Sequence, residues 1–203
     1  MEERTTRRSY RMKDRAKAQA ETRERIIGAT MQLHDEEGVA ATSFLDVARR
    51  ADLGVATVYR HFPTVGSLVA ACGAHIWKEM DPPVPERAPD VFRGIARRED
   101  RLERLVDEVD RFYQRGALRL TAAQADRHVI PELDGFMRAV EAGVAALVCE
   151  AVKDDAMSRT QLQLLLALTA FPVWTSLQRI AGDDTERRRL LTGLLACAVG
   201  SAR

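Results

Sequence analysis

The stretch SFLDVARRADLGVATVYRHFP, residues 43–63, decides the fold. It reads as two short helices joined by a tight turn. Ser43 precedes the first as a hydroxyl N-cap, and Asp46 stands three residues on, where a carboxylate answers both the cap and the helix dipole. Val47 and Ala48 face inward from a helix over Phe44–Ala51. Asp52, Leu53 and Gly54 break the pattern, and Asp and Gly both tolerate the backbone angles of a tight turn. The second helix runs from Val55 to His61 and stops at Phe62, before Pro63. Placing Val58 and Phe62 toward a core, four residues apart on one face, turns Ala56 and Arg60 the other way, with Thr57 and Tyr59 on the flanks. No Asp or Glu falls between Val55 and Gly66. A helix that enters a DNA major groove needs thin shoulders, hydrogen-bond donors and no negative charge against phosphate. An ordinary surface helix in a bundle is the alternative reading of the same residues.

Helical spacing recurs outward from this unit, and runs of alternating strand type are absent. A first helix is expected from about Ala18 to Glu37, with Ile26, Ile27, Thr30, Leu33 and His34 along one face and Gly38 as its stop. Thr64 caps a fourth helix that turns Leu68, Val69, Cys72, Ile76 and Trp77 inward. Pro82, Pro83, Pro85 and Pro89 then make the one strong break. About five more helical segments follow: one near Pro89–Ile95, then 99–115, 121–152, 158–181 and 184–200. Pro131 interrupts the long central pattern or opens a new helix, and Pro172 is expected to kink its segment. The fold class is all-α with about nine helices. The expected division is a basic N-terminal arm (1–17), a DNA-binding domain (18–63) and a helical domain (64–203) whose first part, 64–80, connects the two.

The composition agrees with a globular chain. Of its 203 residues, 46% are hydrophobic and 30% charged, with a net charge of +1 that makes no bulk case for nucleic acid. The distribution is more informative: residues 1–78 hold 13 Lys and Arg against 10 Asp and Glu. Arg4, Arg7, Arg8, Arg11, Lys13, Arg15 and Lys17 face only Glu2, Glu3 and Asp14. Such an arm can follow phosphates and release counterions, or be a solvated, frayed terminus. No apolar run reaches the roughly 18–20 residues that a spanning helix needs, and the N-terminus does not read as a secretory signal. Cys72, Cys149 and Cys197 have no metal-ligand spacing and read as reduced thiols in a cytoplasm.

Arg25 to His34, Gly38 to Ala48 and above all Thr57-Val58-Tyr59-Arg60-His61-Phe62-Pro63 resemble the tetracycline-repressor (TetR) family of bacterial regulators. The resemblance covers roughly residues 20–70. It implies a three-helix DNA-binding domain joined by a fourth helix to a larger ligand-binding and dimerisation domain. It also implies that Tyr59 and His61 contact or position phosphate and that Thr57 touches a base or phosphate. Val55, Ala56 and Arg60 fall at the variable readout positions. Thr42 and Ser43 bring the start of the second helix to the DNA backbone, where exposed amides attract phosphate. Arg60 is the favoured base reader, because a guanidinium grips a guanine edge with two hydrogen bonds; Arg49 and Arg50 suit backbone contact or a solvated face. Three departures stand out. Gly54 replaces the hydroxyl that usually caps the recognition helix. Val65 and Gly66 stand where a phosphate-gripping Lys is common, which shifts expected weight onto Arg8, Arg11, Lys13 and Lys17. His34 replaces a Phe and reads as a packed histidine.

The C-terminal part is expected to sense and to pair. A ligand pocket among the fourth to eighth helices has Trp77, Met80, Phe92, Phe112, His128, Phe136, Met137 and Trp174 as candidate lining residues, each of which is also a candidate core residue. The few charges within these apolar stripes favour an uncharged or aromatic ligand, and no cofactor or metal is expected. The resemblance places a dimer interface on the last two long helices, with Leu162, Leu165, Leu166, Thr169, Val173, Leu191, Leu194, Leu195 and Ala198 as candidates; a monomer core pair is the alternative. The expected partners are therefore a near-palindromic DNA operator, a small-molecule effector that alters the angle of the fourth helix, and a second copy, with repression as the default. An enzyme or a helical adaptor without DNA binding is the competing class. His34, His61, His75 and His128 are dispersed, and no phosphate loop, metal motif or nucleophile elbow occurs.

Overall fold

The computed structural model describes the backbone of residues 2–200 and side chains from Met12 to Gly200. Among the described residues there are ten α-helices, one 3₁₀ turn and no strand. The helices are α1 (Glu2–Glu37), α2 (Phe44–Arg50), α3 (Val55–His61), α4 (Val65–Met80), α5 (Ala88–Val91), α6 (Arg98–Asp126), α7 (Pro131–Ala151), α8 (Arg159–Leu168), α9 (Phe171–Ile180) and α10 (Asp184–Gly200), with the 3₁₀ turn at Pro85–Arg87. They form two compact units. The first takes the chain up to Ile76 together with Ala125–Leu133; the second takes Trp77–Gln124 and the chain from Asp134 onward.

In the first unit α1 begins at Glu2, so the segment read as an arm continues the first helix. Its Arg, Lys, Ala, Gln and Glu residues are good helix formers, and every residue from Met12 to Glu21 is exposed. Arg8 and Arg11 lie outside the residues whose side chains are described. Lower down, Ile26, Ile27, Thr30 and Leu33 are buried as the spacing predicts, and His34 is half-buried. Ile26, Ile27 and Leu33 meet Phe44, Val47, Val58, Phe62, Leu68 and Cys72 in one apolar cluster. Gly38 ends α1 at φ +90, where a side chain would be strained, and its N–H returns to the His34 carbonyl at 3.1 Å. The loop that follows is held from far along the chain: Asp126 Oδ2 accepts from the Val39 and Ala40 amides at 3.0 and 2.9 Å.

In the second unit α10 packs on α8 and α9. The segment expected over 158–181 is two helices, because the chain breaks at Thr169-Ala170 instead of kinking. Pro172 lies in the first turn of α9, where its missing N–H costs nothing. Tyr113 Oη donates to the Thr169 carbonyl at 3.0 Å and so satisfies the break. Pro131 likewise opens α7. Gly143 of α7 allows the Pro82-Pro83 chain to lie directly on the helix: a Cβ there would sit 1.9 Å from the Pro83 carbonyl oxygen.

One carboxylate ties three helices of this unit together. Asp110 of α6 is almost fully buried and accepts from Trp174 Nε1 of α9 at 2.7 Å and from Arg187 Nε of α10 at 2.7 Å. Gln114 adds a bond at 3.2 Å. Arg187, buried too, also reaches the exposed Asp184 at 2.9 Å and lies over the Trp174 ring. The Asp110 hydrogen bonds hold the Arg187 guanidinium protonated well above its ordinary value. Removing one member of a buried pair leaves an uncompensated charge. Asp110→Ala is therefore expected to destabilise the protein by about 3–5 kcal/mol, read as a lower denaturant midpoint; a loss within about 0.5 kcal/mol, the range of an ordinary surface change, would contradict this account.

Candidate nucleic-acid interface

Helices of seven residues are too short to persist alone, so α2 and α3 exist because other elements hold them. Ser43 caps α2, its Oγ accepting from the Asp46 amide at 3.2 Å while its hydroxyl donates to the Asp46 carboxylate. That hydroxyl bond keeps the Asp46 carboxyl below its usual range. Thr42 donates its hydroxyl to the Gly38 carbonyl at 2.9 Å. Both hydroxyl protons at the start of α2 are thus engaged inside the domain.

The turn takes its left-handed residue at Asp52, φ +50, and Gly54 is extended at φ −71. The turn's carbonyls are gripped from α1: Arg25 Nη2 donates to Ala51 O at 2.6 Å and Asp52 O at 3.2 Å. Arg23 lies 4.3 Å over the Phe62 ring. Arg50 makes a two-pronged pair with Glu36 at 2.9 and 2.7 Å, which lowers the Glu36 carboxyl. Sequence reading missed Arg23 and Arg25 as clamps, since nothing local announces a partner 26 or more residues away.

Val58 and Phe62 are buried, as their spacing predicts, and this fixes the outer face of α3. Val55, Ala56, Tyr59 and Arg60 are exposed, Thr57 and His61 half-buried. Tyr59 stays half in solvent while its ring is steadied edge-on by Phe44 at 4.7 Å. Burial, with the Arg60 and Arg23 charges, pulls the His61 imidazole below its ordinary value, which favours the neutral ring at pH 7. Arg49 pairs loosely with Asp46 at 3.8 Å. On α1, Lys13 is exposed and Lys17 makes only an exposed 3.9 Å contact with Glu21. Two helix N-termini carry internal carboxylates: Asp46 on α2, and Glu132 against Gly66 in the first turn of α4, where a Cβ would lie 2.0 Å from Glu132 Oε1.

Residues 26–72, the core of this domain, match the family model described as bacterial regulatory proteins, tetR family. The chain carries the DNA-binding domain of the TetR family. It is a DNA-binding transcription regulator, not an enzyme. The HTH-type transcriptional repressor KstR of Rhodococcus jostii is 29% identical over 201 residues, spanning 92% of this chain and 87% of that one. KstR of Mycobacterium tuberculosis is 29% identical over 192 residues, 88% and 84% of the two chains. Among solved structures, the multidrug binding protein EbrR, complexed with imidazole, shares the fold with a TM-score of 0.60 at 20% identity, over 90% of this chain and 92% of that one.

The residues expected to sense and pair are distributed as follows. Met80, Phe92, Phe112, Met137 and Trp174 are buried in the second unit; Trp77 and Phe136 are half-buried and meet edge to face at 5.7 Å. His128 is exposed and belongs to the first unit. Phe112 borders a cavity of about 410 Å³ between the Pro82–Val84 chain, the Arg87–Val91 turn and α6; Phe92 borders a more open one of about 380 Å³. On the paired helices, Leu165, Thr169, Leu191, Leu195 and Ala198 are buried within the unit, whereas Leu162, Leu166 and Val173 are half-buried and Leu194 is exposed. Leu164, not singled out from sequence, is 46% exposed, beside an outward surface of Ala167, Gly193, Ala196 and Cys197. An i, i+3 or i, i+4 pattern cannot say which side of a uniformly apolar helix faces its own core.

At Gly54 the extended backbone suits any residue and a Cβ meets nothing within 4 Å, yet α3 has no side-chain cap. Gly54→Ser is expected to stabilise α3 by a few tenths of a kcal/mol, seen as slower hydrogen exchange at the Ala56 and Thr57 amides. Faster exchange there would show that the uncapped turn is strained against a side chain.

Proposed function

We propose that the protein is a homodimeric repressor of the cytoplasm that grips a near-palindromic operator through α3 and is released by a small molecule held in the second unit. The observation that carries the DNA reading is the exposed, acid-free face of α3, with Ala56, Tyr59 and Arg60 outward over the buried Val58 and Phe62. Ala56 and Val55 let the helix approach bases closely. Arg60 reads a base edge. Tyr59 and His61 position phosphates, the latter as a neutral donor, and Thr57 reaches a base or phosphate. At the start of α2, Thr42 and Ser43 approach the DNA backbone through amides, because their hydroxyl protons are engaged. Lys13 and Lys17, and with them Arg8 and Arg11, follow phosphates along α1. Repression is the sign favoured by the name of KstR.

The second copy meets α8 and α10, whose outward Leu164 and Leu194 stand among small residues that permit close helix approach. Two recognition helices then fall about one helical turn of DNA apart, ~34–36 Å, which makes the operator near-palindromic. The effector acts by binding the two states of the regulator unequally, with α4 as the covalent path from the second unit to the first. The surface adaptor alternative loses ground because it gives no reason for an acid-free face on α3.

Selection of bound sites from random DNA, followed by titration, tests the reading. Arg60→Ala is expected to relax one base pair in each half-site, losing about 1–3 kcal/mol of discrimination, while Lys13→Ala weakens all sequences alike and lowers the salt slope by about 1. If Arg60→Ala weakens every sequence equally, Arg60 is a phosphate contact and the base reader lies elsewhere. Leu164→Arg combined with Leu194→Arg is expected to yield a folded monomer by light scattering. A stable dimer after both changes would move the interface off α8 and α10.

A further inference from the structure

The cavity of about 410 Å³ in the second unit is lined by residues of two unlike kinds. Its size falls within the roughly 300–1,000 Å³ usual for small-molecule sites. The lining is apolar at Phe112, Val84 and Leu147 and basic at Arg87, Arg104, Arg111 and Arg115. Arg87 is matched by Asp81 at 2.8 Å, and Asp90, also in the lining, is held by Arg93. Of the remaining three arginines, two share one carboxylate. Glu108 receives Arg104 Nη2 at 2.7 Å and Arg111 Nη2 at 2.5 Å. The hydrogen bonds of Arg115 go to neutral groups, the Met80 and Asp81 carbonyls at 3.1 and 3.3 Å. Moreover, Arg104 Nε is buried and finds no acceptor among the described residues. A buried charged donor without an acceptor is costly. Here it sits beside excess positive charge at the edge of a cavity.

We propose that this cavity binds an amphipathic oxyanion: a carboxylate or phosphate monoester head held by Arg104 and Arg111, with an apolar body against Phe112 and Leu147. A guanidinium pair presents forked donors that match the oxygens of such a head. An uncharged ligand, the expectation from the apolar stripes, meets the apolar residues of the lining but leaves the charge excess as it is. The arginines escaped that expectation because they flank the buried stripe of α6 instead of lying in it. The binding event stands on the cavity alone; its regulatory effect rests on the effector reading above.

Calorimetric titration of the full-length protein without DNA tests it, with decanoate, decyl phosphate and decanol below their aggregation limits. At least one of the two anions is expected to bind ten-fold or more tightly than decanol, and the tighter of the two assigns the head as carboxylate or phosphate. Arg104→Gln and Arg111→Gln are each expected to weaken the anions about ten-fold and leave decanol unchanged. Glu108→Gln, which frees both guanidiniums, is expected to tighten the anions several-fold, a change of sign that a folding defect does not produce. Decanol binding as tightly as the anions, no binding of any probe, or Glu108→Gln leaving anion affinity unchanged or weaker at an unaltered melting temperature would each overturn the proposal. Repeating the titration with selected operator DNA separates the two claims: an anion that binds the cavity but leaves operator affinity unchanged removes the effector reading and not the site.

Discussion

The DNA-reading part of this molecule depends on one constraint: α2 and α3 are each two turns long and cannot hold their shape without α1. Burial does most of the holding, through Val47, Val58 and Phe62 against Ile26 and Leu33. Burial alone is not directional, however. Directional contacts are added by Arg25, which binds the carbonyls of the turn between the two short helices, and by the Arg50–Glu36 fork, which ties α2 to α1. The exposed face of α3 is therefore presented by a rigid mount. A readout helix that wavered would lose the geometric advantage of paired hydrogen bonds to bases.

Arg25 is one of three arginines used in the same way. Arg115 of α6 binds the last carbonyls of α4, at Met80 and Asp81. Arg101, also of α6, is buried and binds the Ala151 carbonyl at 2.9 Å and the Glu150 carbonyl at the end of α7. Each satisfies carbonyls that a helix end leaves bare and opposes the negative end of its dipole. A chain rich in arginine but nearly neutral overall is thus partly explained by internal architecture. Counting charges could not separate these arginines from those available to a phosphate or an effector.

Local patterns were the legible part. Spacing located α2, α3 and their turn, Ser43 and Asp46 marked the cap, and the inward Val58 and Phe62 fixed which residues α3 presents. Pro131 opens a new helix, one of the two readings its position allowed, whereas Pro172, expected to kink a single helix, opens a separate one where Tyr113, Phe171 and Trp174 pack together. What sequence could not expose was distant pairing. Asp110 meets Arg187 across 77 positions, Asp126 returns to Val39 across 87, and neither has a periodic signature. The same holds for the outward side of α8 and α10. Both helices are apolar around most of their circumference, so which leucines remain at the surface is decided by the neighbours they pack against.

The domain's electrostatics follow from where its acids sit. A helix N-terminus attracts phosphate through unpaired amides and a positive dipole end. At α2 that end already carries Asp46, locked to Ser43; at α4 it carries Glu132, lodged in the space that Gly66 leaves open. A lysine at position 66 would have to displace or pair with Glu132 before it could meet DNA. The missing lysine and the glutamate are thus two sides of one local arrangement, in which the N-terminus of α4 is satisfied from within its own unit. The exposed positive charge of this domain is therefore carried by side chains, Arg60 on an α3 face free of acids and the basic residues of the long α1, and not by these two helix ends.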